Sequence, residues 1–458
     1  MLGIAVFACT VVAYVIFFVL GKRWRREFEA EGVSYWSAPK EERVSDLVNA
    51  VWQPKLVATL YGLAYFINGY TRVAFSIWIP FFLFQERGLG TLDVALFVGL
   101  IYVSWSWKMF IGIIMDAFPI RFRGRLYRRL PWFLVAGALY LVGSLVFLLF
   151  DPTVMPIWTV FLATILLITT AGAFLDISAD SYAVDATPPE WHGRVLGTAS
   201  RLGRVLGGGL ASVLPPILLK VGGYRLVFLT ASLTGLFSFL CLILKEPPLE
   251  KERLFSREAI AFTFTERSAI LGCLTMLAYA FSLRPIASSL GGMFAFIVKE
   301  VVGVSPDMVG RISLVTLLSG IPASFIGGWA SDRWGHKRIF IASSLVLGAS
   351  GLLWVNLKAG MVPWFIVSAT IIGFLYTINL ASLLALMGDI TPLALSSTVF
   401  QMYMSFVWIG NIPVSVVVGY LLTIDLPICN GLMIFFTVSM SVIARWITPF
   451  EAGKAVKT

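Results

Sequence analysis

A chain of 458 residues that is 58% hydrophobic and 13% charged is not a soluble domain, since those carry about 25% charged residues. Its formal charge of +10 invites a nucleic-acid reading. However, the Lys and Arg gather in short loops between apolar runs, which is the bias of cytoplasmic loops in membrane proteins, and no nucleic-acid partner is expected.

In chain order, residues 2–20 form an apolar run of about membrane-spanning length. Positive charge follows this run (Lys22, Arg23, Arg25, Arg26) rather than preceding it. That order is the reverse of a secretory signal and predicts a retained helix over 1–21 with its N-terminus outside. Residues 22–55 are expected to be a cytoplasmic, partly amphipathic connector. Twelve further runs follow at roughly 56–85, 92–117, 131–150, 155–185, 194–220, 224–244, 268–298, 305–331, 339–358, 361–389, 394–423 and 427–448. Alternation places the basic loop Arg121–Arg129, the stretch Lys245–Arg267, the turn Asp332–Arg338 and the tail 451–458 in the cytoplasm. The opposite loops are poor in Lys and Arg, as the positive-inside rule requires. The expectation is an all-α integral protein of the plasma membrane with a cytoplasmic C-terminus. Two six-helix bundles, 56–244 and 268–450, are joined by a linker at 245–267.

Short repeats support the division. Asp185-Ala-Thr-Pro188 returns as Asp389-Ile-Thr-Pro392 after the fourth run of each half, and Gly112-x-x-x-Asp116 returns as Gly328-x-x-x-Asp332 after the second. Duplicated halves with a site between them are a common transporter plan. Residues 328–338 read GWASDRWGHKR, which resembles the G-x-x-x-D-R-x-G-R-R loop of the major facilitator superfamily through Gly328, Asp332, Arg333, Gly335, Lys337 and Arg338. The first-half counterpart runs from Lys108 through Gly112 and Asp116 to Pro119-Ile120, then Arg128-Arg129. It is similar to the form found in folate–biopterin-type transporters, departing from it at Met109, where proline is usual. The superfamily resemblance covers residues 56–450 and implies a twelve-helix, two-bundle transporter that works by alternating access.

Ionisable groups at membrane depth are functional candidates by default. Arg72 lies near the middle of the first run and Arg284 near the middle of the seventh. The resemblance places those two helices face to face across a central cavity. Two guanidiniums there need counter-charge, which a carboxylate or phosphate solute supplies bidentately. The layout is similar to that of organophosphate:phosphate antiporters, though the rest of the sequence is not. Lys108 is expected either to add to this charge or to pair with Asp176 or Asp180. Asp116 and Asp332, at the cytoplasmic ends of their helices, are expected to latch onto the positive N-terminal end of a helix in the opposite bundle.

Helices four and five turn near Glu190, which sets Asp176 level with Arg204 and Asp180 level with Arg201. At about 100° per residue each pair shares one face. Two ion-pair rungs follow, and two roles stay open: a structural clasp, or a proton site if one rung opens. Gly203, Gly207, Gly208 and Gly209 allow close helix contact. His192 and His336 read as solvated loop residues. Tyr61, Tyr65, Tyr70, Trp78, Trp105, Trp107, Tyr279 and Tyr376 lie along cavity helices and suit either ring stacking or interfacial belts.

The four cysteines (Cys9, Cys241, Cys273, Cys429) lack metal-ligand spacing and read as buried thiols. No phosphate-binding P-loop occurs. Neither a metal, a cofactor nor an enzymatic constellation is expected. The function expected is secondary active transport, by symport or antiport, of a small organic anion. It is coupled to a proton or other ion, or to exchange. A non-transporting sensor or assembly factor is the competing class, and the central arginines argue against it.

Overall fold

The computed structural model describes residues 53–89, 103–122, 125–246, 264–284, 306–391 and 396–448, with scattered positions between 12 and 30 and at 93, 97, 100, 101 and 302. The helix expected over 2–20 and its connector lie largely outside the described residues. The elements are α1 (Pro54–Gln85), α2 (Val103–Ser106), α3 (Lys108–Ala117), β1 (Ile120–Phe122), β2 (Arg125–Tyr127), α4 (Leu130–Leu149), α5 (Leu162–Ala186) and α6 (Ser200–Leu233). The second half holds α7 (Arg267–Phe281), α8 (Pro306–Trp334), α9 (His336–Ser350), α10 (Val362–Asp389), α11 (Ser396–Ile424) and α12 (Leu426–Arg445).

Local chemistry sets several boundaries. α1, α4, α10 and α12 each carry proline in the first turn, where its fixed φ suits the helix and its missing N–H costs nothing. α6 holds most of the fifth expected span and the first part of the sixth. Its backbone leaves the helical region at Gly222 and then at Gly223 (φ 63°, ψ −164°). That second combination is open essentially to glycine alone, so Gly223 makes the turn between runs 194–220 and 224–244. Unforeseen in the sequence, the basic loop folds into a small hairpin pairing Ile120 with Tyr127 and Phe122 with Arg125.

Among the described residues seven helices are long and apolar enough to cross a membrane. The outer face of α4 shows why: Leu134, Leu141, Leu145 and Leu148 fall on one exposed stripe. α1, by contrast, buries Tyr61, Tyr65, Asn68 and Thr71, polar groups turned into the protein.

α1 packs along α6 and α5, and α4 against α5; α8 and α9 pack on α10, while α7 meets α11 and α12. The two groups touch where α11 lies against α3 and α5, and where α8 and α10 lie against residues 193–199. Two glycines of α6 serve the packing within the first half. A Cβ at Gly203 would sit 2.0 Å from the Gly62 carbonyl oxygen, and one at Gly207 would sit 2.1 Å from that of Phe66. These glycines pack α6 on α1 of its own half. Gly193, facing Asp332 and Gly328, and Gly197, facing Ala381, meet the other half.

Candidate functional site

Between the two groups lies an empty volume of ≈ 680 Å³. Among the described residues its walls carry Arg72, Lys108, Arg201, Arg204 and Arg284 and one carboxylate, that of Asp176. Every one of these cations lies over an aromatic face. Arg72 Cζ is 4.6 Å from the centre of the Trp408 ring and Arg284 Cζ is 5.8 Å from the same ring. Arg204 lies 4.7 Å above Tyr65, Arg201 5.1 Å above Tyr376 and Lys108 5.1 Å from Trp105. A ring face attracts a cation without neutralising it, so the rings hold the charges in place and leave the cavity positive. Tyr279 and Tyr376 stack at 9° with their hydroxyls 2.6 Å apart, closing the floor on the second-half side.

The two expected rungs are replaced by other partners. Asp176 pairs with Lys108 and accepts from Asn68 Nδ2 at 2.9 Å. Asp180, fully buried, accepts from Tyr61 (2.8 Å), Tyr65 (2.6 Å) and, across the interface, Gln401 Nε2 (2.9 Å). Arg201 donates instead to Thr377 on α10 at 3.2 Å. The physical reason is the start of the fifth span. Residues Gly193–Ala199 form a π-helical stretch, whose wider turns shift the phase of everything after it. Arg201 and Arg204 therefore face the cavity and the opposite half.

At the end of the bundle that carries the basic loops, Asp116 and Asp332 make matching contacts. Asp116 accepts from the Thr398 N–H at 2.8 Å and the Thr398 hydroxyl at 2.7 Å, in the first turn of α11, and from Arg129 at 2.7 Å. Asp332 accepts from the N–H groups of Gly193 (2.7 Å) and Arg194 (3.0 Å), where the fifth span begins. Each carboxylate thus meets the positive end of a helix in the other half. Gly328 makes room for the second contact: a Cβ there would lie 1.8 Å from Thr198 Oγ1. Gly112 is buried within α3. Gly335, at φ 93°, turns the chain into α9. Lys337 caps α12 at the carbonyls of Arg445 (2.7 Å) and Ile447 (2.8 Å), Arg333 rests against Trp329, and Arg338 is exposed.

The histidines are not solvated, contrary to expectation; both are buried. His336 Nδ1 lies 2.6 Å from Asp389 and its Nε2 3.1 Å from Asp332. His192 reaches Asp389 at 3.1 Å and the Thr187 carbonyl at 3.1 Å. All four ring nitrogens lie within hydrogen-bond reach of acceptor oxygens. Loop position suggested solvent, but the turn near Pro392 and the loop at His192 fold under each other.

Sequence reasoning also missed Asp185 and Glu246. Asp185 accepts from Arg128 and from Arg129 Nε at 2.9 Å. Glu246 caps α4 through the N–H groups of Arg128 (2.7 Å) and Arg129 (2.6 Å). Burial pushes the Glu246 carboxyl above the ordinary range, against the opposing pull of Arg129 and Arg128. The repeat Asp185/Asp389 was the available signal for the former. Among the described residues no group of three or more His, Cys, Asp or Glu side chains is arranged to hold a metal, and Cys241, Cys273 and Cys429 are buried free thiols.

The model of the family described as MFS/sugar transport protein matches residues 60–392. No curated protein sequence matches. Among solved structures, the E. coli fucose:proton symporter FucP superposes with a TM-score of 0.66 at 14% identity, covering 86% of this chain and 98% of that one. The proton:xylose symporter XylE gives 0.65 at 11%, covering 90% and 98%. The human organic anion transporter MFSD10 gives 0.66 at 14%, covering 86% and 100%. At such identities the likeness is one of fold, and it does not extend to the folate–biopterin resemblance.

Proposed function

Because the chain belongs to the major facilitator superfamily, in its MFS/sugar transport family, and is therefore a membrane transporter, we propose that it moves a small organic anion by alternating access. The observation that carries this reading is the lining of the central cavity, where the described residues include five cations and one carboxylate. Its Lys108 is already answered by Asp176, and Arg201 and Arg204 line the same cavity. Among the described residues no carboxylate is within ion-pair distance of Arg201 or Arg204. Desolvated guanidiniums favour an anionic guest held by bidentate bonds. The fold leaves the solute open, since proton-coupled sugar symporters and an organic anion transporter both superpose on it; the arginines narrow it.

The latches of Asp116 and Asp332 close the face expected to be cytoplasmic, as an outward-facing or occluded state of the cycle requires. Coupling is assigned to Asp180. Its partners Tyr61, Tyr65 and Gln401 are neutral donors, so it can take a proton without stranding a buried cation. Uptake into proteoliposomes of carboxylated, phosphorylated and pterin solutes, with and without a pH gradient, tests the reading. Arg201→Ala with Arg204→Ala, and Arg72→Ala with Arg284→Ala, are each expected to lower uptake of the active anion at least tenfold. Undiminished uptake in both double variants would overturn the anion site.

A further inference from the structure

Beside the central cavity, and sharing Arg72 and Trp105 with it as walls, lies a second empty volume of ≈ 410 Å³ inside the first half. Its inner end holds two buried polar atoms, Asn68 Oδ1 and the Tyr140 hydroxyl. Neither has a hydrogen-bond partner among the described residues. Leaving such atoms unpaired is costly, and native structures keep few of them.

Their direction is set by chemistry. A carboxylate only accepts, so the Asn68 amide must present its NH₂ to Asp176, 2.9 Å away, and its oxygen must point the other way. Both orphan atoms converge on Gly172. A Cβ there would lie 3.1 Å from the Tyr140 hydroxyl and 3.3 Å from Asn68 Oδ1, with the Trp105 ring at 3.6 Å. The bare backbone of α5 leaves a shelf at that point, with an acceptor on one side and a donor–acceptor on the other. Neighbouring Thr71 gives its one hydroxyl proton to the Ala231 carbonyl at 3.2 Å, so it has none to donate to either atom.

We propose that this shelf is a hydroxyl-binding subsite of the transport cavity, so that the solute is a hydroxylated organic anion. Its charge lies among the arginines and a neutral hydroxyl lies on the Gly172 shelf. A hydroxyl donates to Asn68 Oδ1 while accepting from Tyr140, satisfying both atoms with one group. A site of this kind discriminates against the analogue that lacks the hydroxyl, because the protein's own polar atoms are then left unpaired. The inference rests on the anion reading for its charged end, but the shelf can be tested separately.

The test is calorimetric binding to the purified full-length chain with probes matched in charge. The pairs are gluconate with hexanoate and glucose 6-phosphate with hexyl phosphate, and sorbitol serves as a neutral control. The wild type is expected to prefer the hydroxylated member of at least one pair by tenfold or more. Gly172→Ala, which fills the shelf, and Tyr140→Phe, which removes one oxygen, are each expected to cut that preference below threefold. Arg201→Ala is expected to weaken both members alike.

A preference that survives both shelf variants, as it would if the shelf held an ordered water only, overturns the subsite. So does a wild type without preference, or one that binds no probe. If sorbitol binds as tightly as gluconate and Arg201→Ala changes nothing, the anion reading fails. The shelf then stands or falls on whether Gly172→Ala lowers sorbitol binding tenfold.

Discussion

Replacing Asp116 with asparagine tests the latch at one atom. The carboxylate serves two sides: one oxygen takes Arg129, and the other takes the N–H and hydroxyl of Thr398. Asparagine has only one acceptor oxygen. Arg129 is fully buried, so it claims that oxygen, and the new NH₂ group is turned onto the Thr398 N–H, donor against donor. The Arg129 contact lies within one half, so it does not depend on the docking of the two halves. The Thr398 contact exists only when the halves meet on this face. Charge-assisted bonds of this sort contribute roughly 1.5–3 kcal/mol. Asp116 and Thr398 are both buried, so solvent screening takes little from that figure. The closed state should therefore lose about tenfold to a hundredfold in population. The assay is maleimide labelling of Leu384→Cys, a cavity position, in inside-out vesicles of a chain whose four native cysteines are replaced by alanine. Asp116→Asn should speed labelling at least tenfold. Asp425→Asn, which alters the cap of α12 at the opposite face, should leave it unchanged. Labelling that is unchanged or slower in Asp116→Asn would refute the reasoning.

Asp180→Asn should leave anion exchange within a fewfold of wild type and abolish its acceleration by an imposed pH gradient; a gradient response that persists removes Asp180 from coupling. Gly203→Ala drives a methyl to within 2.0 Å of the Gly62 carbonyl oxygen and should cost about 1–3 kcal/mol. It should be read as a fall in Tm, with Gly209→Ala, which meets nothing within 4 Å, as the neutral control. His336→Leu should open the basic face in the labelling assay by leaving Asp332 and Asp389 unbridged, whereas His336→Arg should keep it closed; equal rates in the two variants would deny the bridge.

Much of this arrangement is written in local chemistry, and the part that is not has identifiable causes. Span limits, the Gly223 turn and the motif carboxylates follow from hydropathy, glycine's backbone freedom and the duplicated G-x-x-x-D spacing, all properties of short stretches. Arg72, Arg284 and Lys108 could be found from depth alone, because a cation near midplane needs an explanation wherever it points. Arg201 and Arg204 were visible for the same reason but were matched to the nearest carboxylates in sequence. The π-helical stretch at Gly193–Ala199 changes the direction of both, and nothing in a 100° rule reveals it. Partners such as Gln401 for Asp180 and Thr398 for Asp116 come from the other half. Docking of two separately closed surfaces chose them, and no periodicity reports on that. The histidines failed for the complementary reason: short polar turns usually lie in solvent, but here two of them cover each other.

The two latches use the same geometry with different chemistry. In the first half Arg129 bridges Asp116 and Asp185; in the second His336 bridges Asp332 and Asp389. Arginine keeps its charge at every accessible pH, so the first bridge is indifferent to protons. Histidine is the side chain whose charge changes near neutrality. If His336 loses its proton, one ring nitrogen presents a lone pair to a carboxylate and that contact turns repulsive. His192 on Asp389 and Arg194 on Asp332 (3.4 Å) soften the loss without replacing the bridge. The sign follows directly: protons on this face hold the second latch shut, and their removal weakens it while the first latch is unaffected. A transporter of this layout that takes up protons from outside and releases them inside would meet its own cargo ion at two places, Asp180 beside the cavity and His336 at the gate. Asp180→Asn should therefore remove the acceleration of transport by a pH gradient while leaving the pH dependence of gate closure, read by labelling of Leu384→Cys, in place.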